Sequence, residues 1–174
     1  MSTFEMSSDI YQQMQSDLFG DVEHVGFFLA DYDDDADRFH LGEWIPIPSD
    51  GFELQLSYHV SLTDETTATI LQRAGAAGKA LVEVHSHLGS GHVAFSPTDI
   101  DGLREWVPSV RWRLRGRPYA AMVWDATSFD AVAWIDSDGR AEQVAELKVA
   151  GRESVAPTGL SLPDMEGDSN VSFQ

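Results

Sequence analysis

The apolar residues of the chain recur at two spacings, one typical of helices and the other of strands. Helical spacing predicts a first helix over Ile10 to Leu18 and a second from Thr63 to Ala77, with Gly78 as its stop. The sequence SPTD at 96–99 combines a serine cap, a proline in the first turn and an acidic residue three positions after the cap. This combination predicts the start of a third helix.

Strands are predicted where short apolar runs lie between turn-forming residues. The most strand-like run is Ala80 to Ser86, which leads into a glycine-rich loop. The acidic run Asp31 to Asp35 is predicted to be a solvated turn, and Met1 to Ser8 a polar start. The other predicted strands are His24–Ala30, Trp44–Pro48, Leu54–Val60, Pro118–Trp124, Phe129–Ile135 and Val144–Val149.

These elements predict an α/β (α+β) fold with a central mixed β-sheet flanked by helices. A chain of 174 residues is long enough for one domain and short for two. We therefore expect a single domain over residues 1–150. From Gly151 onward the composition shifts to Gly, Pro, Ser and Asp, so residues 151–174 are predicted to be a C-terminal tail, docked or flexible.

Composition excludes several function classes. The chain has 29 acidic and 11 basic residues, a net charge of −18, which argues against binding nucleic acid or an anionic membrane surface. It has no cysteine, so disulfides and thiolate zinc sites are excluded, and a metal site would need His and carboxylates. The start shows no signal peptide, and no run of about 18 apolar residues occurs, so we expect a cytoplasmic protein.

Two histidines mark the end of the strongest predicted strand. Residues two apart in a strand point to the same face, about 6.5 Å apart, so His85 and His87 can converge on one metal ion. Catalytic zinc commonly takes three protein ligands, and Asp99, in the first turn of the next predicted helix, is the natural third. Alternatively, both histidines are ordinary polar residues and Asp99 only stabilises the helix start. The pair alone leaves both interpretations open.

The wider pattern resembles the signature of the JAMM (MPN+) metalloproteases, the family that includes the prokaryotic JAB proteins. In that signature His, Ser or Thr, His and Pro are followed by six residues and then Ser-x-x-Asp. This chain has HSH at 85–87 and SPTD at 96–99. Upstream, EHVGFFL at 23–29 resembles the family's Glu-x-x-Gly context before a strand. The elements occur in the family's order over roughly Ile10 to Val149.

There are two departures from the family pattern. Leu88 replaces the usual proline, and eight residues separate His87 from Ser96 where the common pattern has seven. Both departures fall in the loop and leave the ligand types unchanged. They bear on the loop conformation more than on the metal.

The resemblance implies a single cytidine-deaminase-like MPN domain that binds Zn²⁺ through His85, His87 and Asp99. Glu23 would take a proton from the attacking water and pass it to the leaving amine. Ser96 would donate a hydrogen bond to the developing oxyanion. The resemblance implies that the protein is a zinc-dependent isopeptidase or peptidase. It also implies a prokaryotic, cytoplasmic protein.

The implied substrate is a bond after the C-terminal glycine of a ubiquitin-like or sulfur-carrier protein. The partners would be that protein and enzymes of its conjugation pathway, and a homodimer is plausible. Two alternatives remain: a non-catalytic MPN scaffold, and a zinc amidohydrolase acting on a small molecule or a carrier-protein adduct. Scaffold members typically lack the metal ligands, which this sequence keeps.

Some further residues have two interpretations. Glu83 shares a strand face with both histidines and is predicted either to orient His85 or to be a rival of Glu23. Five of the eleven basic residues lie in the Arg104–Arg117 segment with two tryptophans, which fits either partner docking or an ordinary surface. His92, in the loop, is expected to be a flexible surface residue, the alternative being that it approaches the metal or a substrate.

Overall fold

A computed structural model of the chain describes residues 1–166. Within that range the fold has an eight-stranded mixed sheet, a separate two-stranded sheet and four α-helices, which confirms the mixed α and β prediction. The helices are α1 (Ser8–Leu18), α2 (Asp64–Ala77), α3 (Pro97–Arg113) and α4 (Leu162–Glu166). The strands are β1 (Thr3–Met6), β2 (Val25–Asp33), β3 (Arg38–Pro46), β4 (Phe52–Gln55), β5 (Val60–Leu62), β6 (Ala80–Ser86), β7 (Tyr119–Trp124), β8 (Phe129–Trp134), β9 (Glu142–Gln143) and β10 (Glu146–Val149).

The large sheet has the strand order β10-β1-β3-β2-β6-β7-β8-β9. Its centre combines antiparallel β2–β6 and parallel β6–β7 pairing. The central strands read as nearly continuous apolar runs because both of their faces are covered. Consecutive residues alternate between the two sides: Phe28 packs with the α1 residues Met14 and Leu18, and Phe27 packs with residues of α2 and α3.

The elements that carry the site form where local signals are strong. α2 begins after Thr63, whose hydroxyl accepts a hydrogen bond from the Thr66 amide, and ends at Gly78. β6 has the predicted bounds. α3 begins after Ser96 with a full capping box, in which Ser96 and Asp99 each accept a hydrogen bond from the other's backbone amide.

The N-terminal predictions were wrong in two places. Residues 1–8 are not a polar start, because Thr3–Met6 forms β1 between β3 and β10 and buries Phe4 and Met6. The acidic run is not a turn throughout, because β2 continues to Asp33. There the exposed aspartates alternate with Tyr32, whose ring packs 4.7 Å from that of Phe39 across the hairpin. Because consecutive residues of a strand point to opposite faces, Asp31 and Asp33 can be exposed to solvent while the strand continues.

Two other strand predictions need correction. The segment 54–60 is a hairpin rather than one strand, with β4 and β5 pairing antiparallel to each other. The strand predicted at 44–48 is the end of a longer strand, β3, which begins at Arg38. The tail, as far as residue 166, lies against the sheet: Val155 bridges to Leu147, and Ser161 is buried. Residues 167–174 of the predicted tail lie outside the described residues.

No helix in residues 1–166 combines the length and the apolar character that crossing a membrane requires.

Candidate metal centre

Three side chains that the sequence singled out meet at the end of β6. His85 Nε2 lies 3.2 Å from His87 Nε2 and 3.4 Å from Asp99 Oδ2, and His87 Nε2 lies 3.1 Å from Asp99 Oδ2. His85 lies near the end of β6, His87 follows directly after the strand, and Asp99 comes from the first turn of α3. The residues could therefore hold one metal ion between them.

The spacing of the three ligand atoms fits zinc. Zinc bonds to imidazole nitrogen and carboxylate oxygen are about 2.0–2.1 Å, so two ligand atoms at a tetrahedral angle lie about 3.3 Å apart. The three observed separations lie between 3.1 and 3.4 Å. Two imidazoles and one carboxylate are also the donor types that zinc takes in catalytic sites. The residues thus fit the metal in donor type and in spacing.

Asp99 is fixed in place by the helix start that it belongs to. Its Oδ2 accepts a hydrogen bond of 2.7 Å from the Ser96 amide, and its own amide donates to Ser96 Oγ at 3.2 Å. Burial alone would raise the pKa of Asp99, but hydrogen bonds with His85 and His87 outweigh it and hold that pKa well below its usual range. The carboxyl is therefore ionised, as a metal ligand must be.

Glu23 lies beside this group, just before β2. Its backbone amide donates to the Leu56 carbonyl at 3.0 Å, and Gln55 Nε2 donates to the Glu23 carbonyl at 3.0 Å. The residue is 6% exposed, and within residues 1–166 its carboxylate accepts no hydrogen bond. Burial raises the pKa of Glu23, and the nearby charges of His87 and His85 only partly oppose this.

A groove of about 520 Å³ is lined by two of the three ligands, His85 and Asp99. One side is β5 together with His59, and the other is the part of α3 from Thr98 to Trp106. His85 and Glu83 also line it. The sequence analysis assigned no role to His59, because no pattern surrounds it. Its place in the groove follows from the β4–β5 hairpin.

Glu83 is held by a partly buried chain of hydrogen bonds. Trp106 Nε1 donates to the Tyr119 hydroxyl at 2.9 Å, and that hydroxyl donates to Glu83 Oε2 at 2.7 Å. The other carboxylate oxygen, Oε1, lies 4.0 Å from His85 Nδ1, on the side of the ring away from Asp99. Burial raises the pKa of Glu83. This contact supports the interpretation that Glu83 orients His85. Tyr119 and Trp106 carried no sequence signal for this role.

The loop between the ligands is held by the turn that joins β7 to β8. The Gly91 amide donates to Thr127 Oγ1 at 3.1 Å, and the Val93 amide donates to Ser128 Oγ at 3.2 Å. Asp125 Oδ1 accepts hydrogen bonds from the amides of both turn residues, at 2.8 and 2.6 Å. His92 is exposed on this loop, as expected.

Part of the basic segment lines a second cavity. A cavity of about 980 Å³, larger than the groove, runs along α3 and past Trp134, and its lining includes three arginines of the segment. Arg111 donates to the carbonyls of Ile135 and Asp136 at 2.9 and 2.7 Å, so part of its role is structural. Trp112 is 80% exposed beside it. The candidate metal ligands His85 and Asp99 line the smaller groove instead.

The fold and the site together define a mixed α/β protein with a candidate metal centre at the end of a central strand. No protein-family model and no curated protein matches the sequence. Among solved structures, the fold is similar to the solution structure of protein DSY2949 from Desulfitobacterium hafniense, with a TM-score of 0.55. The identity is 14%, and the match covers 86% of this chain and 94% of that chain. At this identity the likeness shows the fold alone.

Proposed function

We propose that this chain is a JAMM-type zinc metallopeptidase with a cytidine-deaminase-like MPN fold, acting in the cytoplasm. The observation that carries the proposal is the convergence of His85, His87 and Asp99 at tetrahedral ligand spacing. The sequence pattern that resembles the family and the side chains that meet in space are the same residues. A chance pattern would not require a strand end and the start of the next helix to bring these three side chains together.

The chemistry divides between the metal and the protein. When bound, zinc supplies Lewis acidity, which lowers the pKa of a coordinated water to about 7. Glu23 is the general base in this proposal: a buried carboxylate with a raised pKa is suited to accept a proton and return it to a leaving amine. Ser96 would donate its hydroxyl hydrogen to the developing oxyanion, because its Oγ already accepts from the Asp99 amide and its own hydrogen remains available.

The proposed substrate is an extended chain that ends in glycine, as in a ubiquitin-like or sulfur-carrier protein. β5 pairs with β4 along one edge, and it lines the groove that also contains His85 and Asp99. An extended peptide could add to the other edge through main-chain hydrogen bonds, and this mode needs no particular side chains. Glycine has no side chain, so a chain that ends in glycine needs no side-chain pocket next to the scissile bond.

Metal content tests the proposal most directly. We expect about one zinc ion per chain in the wild type, and loss of that zinc in His87→Ala and in Asp99→Ala. His92→Ala is the matched control, because this exposed histidine lies in the same loop and contacts none of the ligands. A wild type without zinc, even after zinc is added back, would contradict the enzyme proposal and leave the scaffold hypothesis.

Substrate assays then separate the two enzyme hypotheses. One substrate would be a ubiquitin-like protein whose C-terminal glycine is joined to a fluorescent amine, and the other a short acyl-glycine amide of the same amine. Preference for the protein-linked substrate supports the peptidase. Equal cleavage of both favours an amidohydrolase acting on small molecules. Glu23→Gln, loaded with metal, is the inactive control in both assays.

A further inference from the structure

The C-terminal tail contacts the loop that leads into the candidate centre. Thr158 Oγ1 donates to the Val93 carbonyl at 2.6 Å, and the Phe95 amide donates to Ser161 Oγ at 2.9 Å. The tail therefore holds two of the last three residues before Ser96. These contacts span more than sixty residues of sequence and have no counterpart in the motif that identified the ligands.

Ser161 is itself held by a buried carboxylate. Asp130 of β8 is fully buried, and its Oδ2 accepts from both the amide and the hydroxyl of Ser161, at 2.9 and 2.6 Å. Its Oδ1 accepts from the amides of Gly159 and Ala131, at 3.0 and 2.9 Å. A buried charge is costly unless it is hydrogen-bonded, so this carboxylate fixes the position of the tail.

The contacts continue from the tail to two of the ligands. Phe95 is buried, and its ring lies 5.5 Å from the ring of His85. The next residue, Ser96, holds Asp99 through the capping box. A shift of the Phe95 backbone would therefore displace the wall against which His85 packs and the cap that orients Asp99.

We propose that Ser161 and Asp130 are positioning residues for the candidate metal centre. They set the place of Phe95 and Ser96, and through them the relative position of His85 and Asp99. The metal part of this inference rests on the proposed function, whereas the mechanical part concerns the ligand residues in the protein without metal. Neither residue touches the metal ligands themselves.

Cobalt substitution tests the metal part, because the visible spectrum of bound Co²⁺ reports its coordination geometry. Ser161→Ala removes the acceptor for the Phe95 amide while leaving the Asp130 carboxylate in place. We expect Co²⁺ affinity to fall about tenfold, the lower end of the 10–100-fold effect of outer-shell partners, with altered visible bands. Ser161→Thr keeps the hydroxyl and should restore both affinity and spectrum. Ser154→Ala, in the same tail but hydrogen-bonded to Glu146, is the matched control.

Hydrogen exchange in the metal-free protein tests the mechanical part. Peptides covering residues 93–103 should exchange at least about tenfold faster in Ser161→Ala than in the wild type, and at wild-type rates in Ser154→Ala. Asp130→Asn is expected to act in the same direction. A cobalt spectrum and affinity that match the wild type, despite a lower melting temperature, would overturn the metal part. Unchanged exchange would overturn the mechanical part.

The two readouts also distinguish failure of this inference from failure of the proposed function. If the wild type binds no Co²⁺ or zinc, the proposed function fails, and the positioning of the ligand residues is decided by exchange alone. If the wild type binds metal and Ser161→Ala binds it equally well with the same spectrum, the proposed function stands and the positioning role is wrong.

Discussion

Gly26 offers the sharpest test of the packing behind the site. It lies in β2, three residues after Glu23, at the glycine position of the upstream motif. It pairs with Val84 of β6. A Cβ at this position would lie 2.5 and 2.8 Å from Cζ2 and Cζ3 of Trp44, and closer still to Cη2. Real Cβ atoms essentially never approach this closely. Trp44 explains why this strand position requires glycine.

The cost of Gly26→Ala follows from what holds Trp44 in place. Its ring packs 4.8 Å from Phe28, and its Nε1 donates to Asp17 Oδ2 at 2.8 Å. Overpacking costs about 1–3 kcal/mol, and losing a hydrogen bond to a charged group costs about 1.5–3 kcal/mol. Replacing glycine by alanine also stabilises the protein by about 0.4–1 kcal/mol, because it lowers the conformational entropy of the unfolded chain. The net loss of unfolding free energy is expected to be about 1.5–5.5 kcal/mol.

Urea unfolding at neutral pH measures this loss. Gly102→Ala is the matched control, because Gly102 lies in α3 with open space around its Cβ position. That variant should gain up to about 1 kcal/mol, the helix propensity difference. In a Trp44→Phe background, which lacks the outer ring atoms, Gly26→Ala should cost less than about 1 kcal/mol. The reasoning is refuted if Gly26→Ala changes stability by under about 0.5 kcal/mol, or costs the same with and without Trp44.

Three further outcomes are expected. Glu23→Gln should retain zinc and lose about 10²–10⁴-fold in peptidase turnover; equal turnover would remove Glu23 from the mechanism. Tyr119→Phe should lower unfolding free energy by about 1–3 kcal/mol, because Glu83 loses its buried donor, whereas the 76% exposed Tyr58→Phe should change nothing in the same urea titration. Burial raises the pKa of Asp125, but hydrogen bonds from the turn amides outweigh it and lower that pKa. The stabilisation that ionised Asp125 provides is therefore present above the unfolded pKa of about 3.9 and is lost as pH falls through the lower folded pKa. In urea unfolding, the loss of unfolding free energy in Asp125→Asn should therefore shrink from pH 7 to pH 2.5. A loss that stays constant over this range would contradict the argument.

The parts of the fold that could be predicted are those with local signals. The capping residues and stop of α2, the apolar run of β6 and the serine-proline start of α3 each lie within a few residues. β1 could not be predicted in this way. Its four residues form a strand only because β3 and β10, distant in sequence, lie on either side of it. The continuation of β2 to Asp33 likewise depends on its pairing with β3.

The candidate site divides in the same way. His85, His87 and Asp99 stand in a compact sequence pattern, and the strand and helix that present them are themselves locally encoded. Tyr119 and Ser161 could not be identified, because their roles depend on contacts 36 and 66 residues away in sequence. A lone tyrosine at a strand start, or a serine in a polar tail, has no pattern that distinguishes it from its neighbours.

The loop between His87 and Ser96 is compatible with the ligand geometry because its two ends are fixed independently. At one end, the His87 amide donates to the Trp124 carbonyl at 2.7 Å, and at the other Phe95 is held by the tail. Between them, Gly89 and Gly91 have φ values of +116° and +141°, which residues with a side chain rarely adopt. Nothing lies within 4 Å of a Cβ position at either glycine, so this part of the loop faces open space. Since lengthening a flexible loop costs little free energy, the ligand spacing depends on the anchors rather than on the number of residues between them.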